Sequence, residues 1–171
     1  NTKNLLDRCL KSIVNSLQSS NLQYEIIVVD NASKDGTRVL LNNKYPRVKT
    51  ILNNINMGYG KSNNIAINES KGEYILLLNS DTVVIKDGIE QLFLYCKNHS
   101  NVFVGGKLFN EDKSAQSSCG PFYTLPIVAL MLFAKGDYWG ATRFSPNDIK
   151  KVDWVSGACL AGCKEAFLKI G

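Results

Sequence analysis

Residues Tyr74-Ile75-Leu76-Leu77-Leu78 form an apolar run without a polar interruption, and the chain then breaks at once into Asn79-Ser80-Asp81-Thr82. A run this short, bounded by polar residues on both sides, reads as a strand buried on both faces. Such strands belong to parallel sheets covered by helices. The polar turn then delivers one carboxylate to the strand's carboxyl end, which is where α/β proteins bind ligands. A second strand, Tyr24-Glu25-Ile26-Ile27-Val28-Val29-Asp30, ends the same way, in Asn31-Ala32-Ser33-Lys34-Asp35-Gly36-Thr37. Two buried strands, each closing on an acid, predict one site with two walls.

Helix and strand alternate around them. Residues 1–15 read as an amphipathic helix, with Leu5, Leu6, Cys9, Leu10, Ile13, Val14 and Leu17 at helical spacing. After the strand at 25–30, Ser33 and Asp35 are placed to cap a helix through 39–43, with Gly36 permitting a tight entry. A short strand at 48–52 leads through the asparagine- and glycine-rich turn 53–60 into a helix through Asn64, Ile65, Ala66 and Ile67. A strand at 74–78, a helix at 89–97 and strands at 102–106 and 107–109 follow. This order predicts an α/β fold, a parallel and doubly wound sheet with helices on both faces.

From 110 to 151 the periodicity weakens, punctuated by Gly120-Pro121, Pro126, Gly136, Gly140 and Pro146. A stretch this long is expected to be functional or partly helical. Residues 125–134 predict a short helix, either packed on the sheet or offering an apolar surface to a lipid-bearing partner. The sequence leaves both readings open. A strand-like run at 152–160 and a helix at 164–170 close the pattern.

A chain of 171 residues, 44% hydrophobic, is long enough for one domain with a substantial core. No window approaches the ~20 apolar residues that cross a bilayer, and the charges scattered through 1–15 do not read as a secretory signal. The formal net charge of +5 favours anionic partners. Its lysines and arginines are dispersed rather than blocked into an arm, which sets nucleic acid aside. The cysteines, 5 in number, show no metal spacing and read as reduced, buried thiols of a cytoplasmic protein. The single histidine, His99, sits among Asn98, Ser100 and Asn101 near a helix end. It carries no catalytic role here, and without it Ser-His-Asp and Cys-His chemistry have no base.

Asp30 and Asp81 each have a plain alternative role, capping a turn. Their company shifts the balance. In Asn56-Met57-Gly58-Tyr59-Gly60-Lys61-Ser62-Asn63-Asn64, the glycines let backbone approach a ligand, and the following helix start aims N–H groups at an anion. The turn is neither a dinucleotide fingerprint, since Asn63 takes the expected third glycine position, nor a phosphate-binding P-loop, since no Gly-Lys-Ser/Thr closes it.

In order, Val28-Val29-Asp30-Asn31-Ala32-Ser33-Lys34-Asp35-Gly36-Thr37, Asn56-Met57-Gly58-Tyr59-Gly60 with Asn63-Asn64, Leu77-Leu78-Asn79-Ser80-Asp81-Thr82, and Trp154-Val155-Ser156-Gly157-Ala158 resemble the motif series of family 2 glycosyltransferases. Within that family they are most similar to the bacterial rhamnosyltransferase-like branch. The resemblance implies a GT-A fold, a Rossmann-like, mostly parallel sheet in a single domain over 1–171. It further implies that the first strand and a C-terminal acidic segment with the general base, expected beyond Gly171, are absent from these residues, so that they are inactive alone. Asp30 matches the acid that binds the donor's base, with Asn31 beside it. Asn56, Gly58 and Asn63 fall in the turn lining the nucleotide pocket, and Asn63 stands where other branches often have arginine. Asp81 matches the last acid of the Asp-x-Asp motif, which binds Mg²⁺ or Mn²⁺ bridging the donor diphosphate. Asn79 replaces the first acid of that motif. Trp154, Ser156 and Gly157 match a segment near the sugar and acceptor.

The implied reaction moves a sugar from a nucleotide-diphosphate donor, a UDP- or dTDP-sugar, to a saccharide or lipid-linked acceptor, with inversion, in cell-surface polysaccharide synthesis. Peripheral contact at the inner membrane face goes with it, motivated by the 125–134 patch and the positive charge. Two other functions stay open: a nucleotide-sugar-binding module without catalysis, and a sugar nucleotidyltransferase.

Overall fold

The alternation of elements holds in the computed structural model, which describes residues 2–137 and 139–170. Asn1, and with it the first residue of the expected opening helix, lies outside the described residues, as does Gly171. Helix α1 (Lys3–Leu17) leads to β1 (Ile27–Asn31), α2 (Thr37–Lys44), β2 (Lys49–Asn53), α3 (Tyr59–Glu69), β3 (Tyr74–Leu78) and α4 (Gly88–Asn98). Short strands follow at β4 (Val104–Gly105), β5 (Leu108–Phe109), β6 (Ala115–Gln116) and β7 (Cys119–Gly120). The chain then passes through α5 (Leu125–Phe133), β8 (Trp154–Val155), β9 (Cys159–Cys163) and α6 (Lys164–Ile170).

Helix α1 forms where leucine and cysteine recur every three or four residues, and it buries Leu6, Cys9, Leu10 and Leu17. Leu5 and Val14 lie on its flank and stay exposed, so the buried stripe is narrower than the sequence pattern. Leu6 and Leu10 meet Leu41 of α2, and Ile13, Ile26, Val28, Tyr45 and Val48 pack around them. Leu10 and Leu41, each 1% exposed, contribute about 1.5–3 kcal/mol apiece through burial. This cluster fixes α1 and α2 against β1, and thereby the height at which β1 releases Asp30.

Strand β1 pairs in parallel with β2, from Ile27 opposite Lys49 to Asn31 opposite Asn53. Strand β3 pairs antiparallel with β9, Tyr74 opposite Cys163 and Leu78 opposite Cys159, and β4 lies antiparallel on the far edge of β9. The order β3-β9-β4 therefore inserts a late strand between two earlier ones. Among the described residues β1 and β3 are not paired with each other. They nevertheless run side by side in the same direction. At their starts the Glu25 carboxylate accepts from the Lys71 and Gly72 amides, and beyond their ends Thr2 Oγ1 and Ser80 Oγ lie 3.3 Å apart.

Between them a trench of about 1220 Å³ opens, walled by α1, α3 and α4. It explains one departure from expectation: the apolar strand β3 is half-buried along its whole length rather than fully buried. A second departure is the run at 152–160, which divides into β8 and β9 on different partners, because Ser156-Gly157-Ala158 turns between them. Helix α5 bears on an alternative that the sequence leaves open: no residue of it is buried, and Leu125 and Phe133 stand 86% and 87% exposed, which favours an apolar surface over a helix packed on the sheet. His99 lies just past α4, stacked on Tyr95 at 4.0 Å between centroids. Cys9, Cys96 and Cys119 are buried, and Cys159 and Cys163 are half-buried.

Candidate functional site

The turn after β1 is held by a buried carboxylate. Asp30 has a side chain 0% exposed; its Oδ2 accepts from Arg38 Nε at 2.8 Å and its Oδ1 from the Ser33 amide at 3.0 Å. Burial pushes this carboxyl up, but the hydrogen bonds from Ser33 and Arg38 outweigh it and hold Asp30 below the usual carboxylate range. Arg38 also donates to the Asn53 carbonyl at 3.1 Å, so one guanidinium ties the ends of β1 and β2 together. Ala32 takes up the reversal with φ 61°, a left-handed conformation that costs a residue with a Cβ roughly 1–2 kcal/mol. Asp35 caps the next element: its Oδ1 accepts from the Thr37 amide and hydroxyl, while its Oδ2 takes the Lys3 amide at the start of α1. The Thr37 hydroxyl and the Lys3 amide lower its pKa to about 2. Ser33, expected to share this capping, gives its amide to Asp30 instead.

Asn31 is the hub between this turn and the glycine turn. Its Oδ1 accepts from Asn53 Nδ2 at 2.8 Å and from Ser62 Oγ at 2.8 Å, and its Nδ2 donates to the Gly58 carbonyl at 3.4 Å. Asn56 Oδ1 accepts the Gly58 amide at 2.9 Å, closing a short side-chain turn. Gly58 has φ 80° and ψ 171°, a conformation essentially confined to glycine, and helix α3 starts at the next residue. A cavity of about 250 Å³ opens here, lined by Thr2, Asp30, Asn31, Ser33, Asn56 and Ser80 among others. Its wall thus draws on both strand ends and on the glycine turn, as two walls of one site require.

The second wall is built differently. The Asn79 carbonyl accepts from the Thr82 amide and hydroxyl, the Asn79 amide donates to the Ala158 carbonyl at 2.9 Å, and the Val84 amide donates to the buried Ser12 hydroxyl of α1 at 2.9 Å. These bonds fix the backbone and leave the acid alone. Asp81 is exposed, and its carboxylate makes no hydrogen bond or ion pair with the described residues. Among them, no three His, Cys, Asp or Glu side chains converge as a cation cage. One uncommitted carboxylate, next in sequence to the cavity-lining Ser80, fits a hard cation delivered with a diphosphate, since Mg²⁺ is commonly held by one or two carboxylates plus substrate phosphates.

Not every expected residue reaches the cavity. Asn63, Asn79 and Asp81 line the adjoining trench, which meets the cavity at Asn31 and Ser80. Asn63 Nδ2 is buried with no acceptor among the described residues. Trp154 turns away: its Nε1 donates to the Pro121 carbonyl at 2.8 Å, its ring stacks on Tyr123, and a Cβ on Gly120 would stand 2.8 Å from it. Ser156 turns inward on its own loop, its Oγ accepting the Ala158 amide at 3.3 Å. Gly157 is tied to the start of α3, its carbonyl accepting from the Tyr59 hydroxyl at 2.6 Å across 98 positions of sequence. Sequence reasoning missed Arg38, Asn53 and Tyr59. Arg38 carried one usable signal, its place in the first turn of the helix that follows β1, beside that strand's end.

Comparison with known proteins adds an independent line. The family model described as Glycosyl transferase family 2 matches residues 1–122. A poly(ribitol-phosphate) beta-glucosyltransferase of Bacillus spizizenii is 35% identical over 112 residues, 63% of this chain and 18% of that protein. The abequosyltransferase RfbV of Salmonella typhimurium is 28% identical over 109 residues, 61% of this chain and 32% of its own length. The chain therefore spans well under half of these curated relatives. Among solved structures, a mannosyltransferase from Pyrobaculum calidifontis, in complex with GDP-Man and Mn²⁺, aligns with TM-score 0.54 at 19% identity, over 64% of this chain and 33% of that one. Residues 1-349 of Staphylococcus aureus TarS align with TM-score 0.52 at 19% identity, over 76% of this chain and 42% of that one. At such identities the likeness is one of fold.

Proposed function

The chain belongs to glycosyl transferase family 2, and on that premise we propose that it forms the donor side of a glycosyltransferase of polysaccharide synthesis, binding a nucleoside-diphosphate sugar. The observation that carries this reading is the juxtaposition of the 250 Å³ cavity, walled by Asp30, Asn31, Asn56 and Ser80, with the uncommitted carboxylate of Asp81, the residue after Ser80. Asparagine amides and one arginine-paired carboxylate suit a base and ribose, and a lone acid nearby suits a metal-bridged diphosphate.

In the proposed reaction an acceptor hydroxyl attacks the anomeric carbon. The new C–O bond forms as the bond to the diphosphate oxygen breaks, the hydroxyl proton passes to a base, and the nucleoside diphosphate leaves. A bound Mg²⁺ or Mn²⁺ supplies neutralisation of the charge that develops on that diphosphate. The protein's own residues do the positioning. Asp30 is assigned to the base, using the second lone pair of each carboxylate oxygen. Arg38 covers that carboxylate in the present arrangement and has to yield when a base enters. Asn31 and Asn56 hold the Gly58 turn against the nucleotide, with Gly58 and Asn63 on the same side. Asn79 and Asp81 face the diphosphate. Gly157, tied to Tyr59, is assigned to the sugar side. We assign no general base among the described residues.

Finer assignments extend the same reading: a UDP- or dTDP-sugar donor, a glycan or lipid-linked acceptor, inversion, the rhamnosyltransferase-like branch, and a cytoplasmic site at the inner membrane face. No helix among the described residues is long and apolar enough to cross a membrane. The bare apolar face of α5 supports peripheral contact instead, and sedimentation with anionic liposomes tests it: a protein that stays in the supernatant has no such contact.

A thermal-shift series of UDP-, dTDP- and GDP-sugars with and without Mn²⁺ tests the donor site. At 100-fold excess over Kd a ligand stabilises by about 2.7 kcal/mol, a rise of roughly 5–10 °C for a domain of this size. Asp81→Ala is expected to abolish the part of that rise that depends on Mn²⁺. Retention of the full metal-dependent rise removes Asp81 from the metal, and no rise with any of the nucleotides removes the donor reading.

A further inference from the structure

A chain of hydrogen bonds joins the two walls of the site through the loop at residues 156–158. At one end the hydroxyl of Tyr59, the first residue of α3, donates to the Gly157 carbonyl at 2.6 Å. At the other the Ala158 carbonyl accepts the Asn79 amide at 2.9 Å, two residues before Asp81. The loop between them is held independently. The Ser156 amide donates to the carbonyl of buried Ser118 at 2.7 Å, and the Ala158 amide donates to Ser156 Oγ at 3.3 Å. Tyr59 in turn follows Gly58, which Asn31 and Asn56 fix from either side. The path therefore runs from the glycine turn to the acid turn.

Gly157 bears the mark of this contact. Its φ lies outside the left-handed region, so the backbone does not call for glycine there. Space does. A Cβ at 157 would stand 3.2 Å from the Tyr59 hydroxyl oxygen and 3.5 Å from Cε1 of the same ring. The first of these is tighter than ordinary van der Waals contact, so a side chain at 157 and the hydroxyl at 59 compete for one place. Burial gives Tyr59 no comparable reason to be a tyrosine. It is 54% exposed, and what its position adds is a polar tip that reaches a carbonyl.

Resting on the donor reading, we propose that Tyr59 is a positioning residue of the donor site. Its hydroxyl sets, through Gly157 and Ala158, the placement of the Asn79–Asp81 turn relative to the glycine turn. The base and ribose meet groups that this bond does not hold, since Asn31 and Asn56 bond Gly58 without it. The diphosphate and its cation depend on both walls at once. Divalent cations of this kind tolerate little slack, Mg²⁺ demanding near-ideal octahedral geometry. Tyr59 thus governs the part of donor affinity that a cation adds, and touches neither cation nor sugar in doing so.

The test titrates UDP, dTDP and GDP into the 171-residue chain by calorimetry, with and without Mn²⁺, and carries the tightest forward. For Tyr59→Phe the affinity without metal is expected to stay within about twofold of the parent. The gain on adding Mn²⁺ is expected to fall roughly three- to tenfold, the contribution of one hydrogen bond. Gly157→Ala, which crowds the same hydroxyl, is expected to act in the same direction. The double variant is expected to lose no more than Tyr59→Phe alone, because the crowded atom is then gone. In the protein free of nucleotide and metal, Tyr59→Phe is expected to speed amide exchange at Asn79. An unchanged metal gain, losses that multiply in the double variant, or Asn79 exchange equal to the parent's overturns the proposal. Equal loss with and without metal overturns it too, by making Tyr59 a contact of the nucleotide or a general support of the fold. A parent chain that binds none of the three nucleotides, or binds them without metal dependence, overturns the donor reading and the proposal with it, and is told apart because the parent itself then fails.

Discussion

The turns after β1 and β3 share one signature, an apolar strand closing on an aspartate, and the structure uses the two acids in opposite ways. Asp30 is fully covered and accepts from Arg38 and Ser33, whereas Asp81 is exposed and accepts from no described residue. The backbone of the β3 turn is pinned by other groups, Ala158, Thr82 and Ser12. A carboxylate whose turn is already held by its neighbours keeps its lone pairs for something that arrives later. One that holds its own turn has only its remaining lone pairs to offer.

That contrast is open to measurement, and the largest effect belongs to Asp30→Ala. It leaves the Ser33 amide and the Arg38 guanidinium without their acceptor, a loss of about 2–3 kcal/mol, read as a lower urea midpoint at unchanged slope. A midpoint equal to that of the parent chain would break the comparison. Asp35→Ala follows with a smaller drop, because the Lys3 amide it caps is exposed and can turn to water.

Acid adds a third test. Asp30 and Asp35 both sit below their ordinary values in the folded state, so the stability they contribute is present at neutral pH. It is lost as pH falls from the unfolded value near 3.8 through the folded one, about 2 for Asp35. Denaturation midpoints should therefore fall with pH in that window, and less steeply for Asp35→Ala. The smallest effect is expected of Asp81→Ala, within about 0.5 kcal/mol of the parent. A drop as large as that of Asp30→Ala would mean that Asp81 also serves the fold.

The elements most legible in the sequence were those with sharp chemical borders. Strand β3 occupies Tyr74–Leu78 as read, because Glu73 and Asn79 bound an unbroken apolar run. Helices α1 and α3 shifted by a residue or two at their starts, where capping and not periodicity decides. Less legible was what depends on distant partners. Nothing local marks β9 as lying antiparallel between β3 and β4, since pairing across such separations leaves no periodic trace. The run at 152–160 looked continuous; Gly157 inside it was the available sign of a break. For α5, apolar on every side, periodicity had no face to choose, and neither burial nor exposure could be read from it.

At the site, Asp30, Asn31, Asn56 and Asp81 stood out by residue type, at strand ends and turns. Arg38 and Tyr59 did not, because an arginine in a helix and a tyrosine beside glycine are ordinary surface choices. Only the geometry gives them their bonds to Asp30 and Gly157. Trp154 is the opposite case. An aromatic in a recognisable motif invited a sugar contact, and the structure spends it on Gly120, Pro121 and Tyr123.

The position of β9 has a consequence for how the molecule is made. Strands β3 and β4 reach each other only through β9, whose last residue is Cys163. While the chain emerges from a ribosome, β1 and β2 can close across a single helix, but β3 waits about eighty residues with its edge unsatisfied. Contacts of that separation form slowly and leave the waiting segment prone to association. A pause or a stop anywhere before residue 159 would leave Tyr74–Leu78, the most apolar strand of the sheet, as the part that a chaperone has to cover.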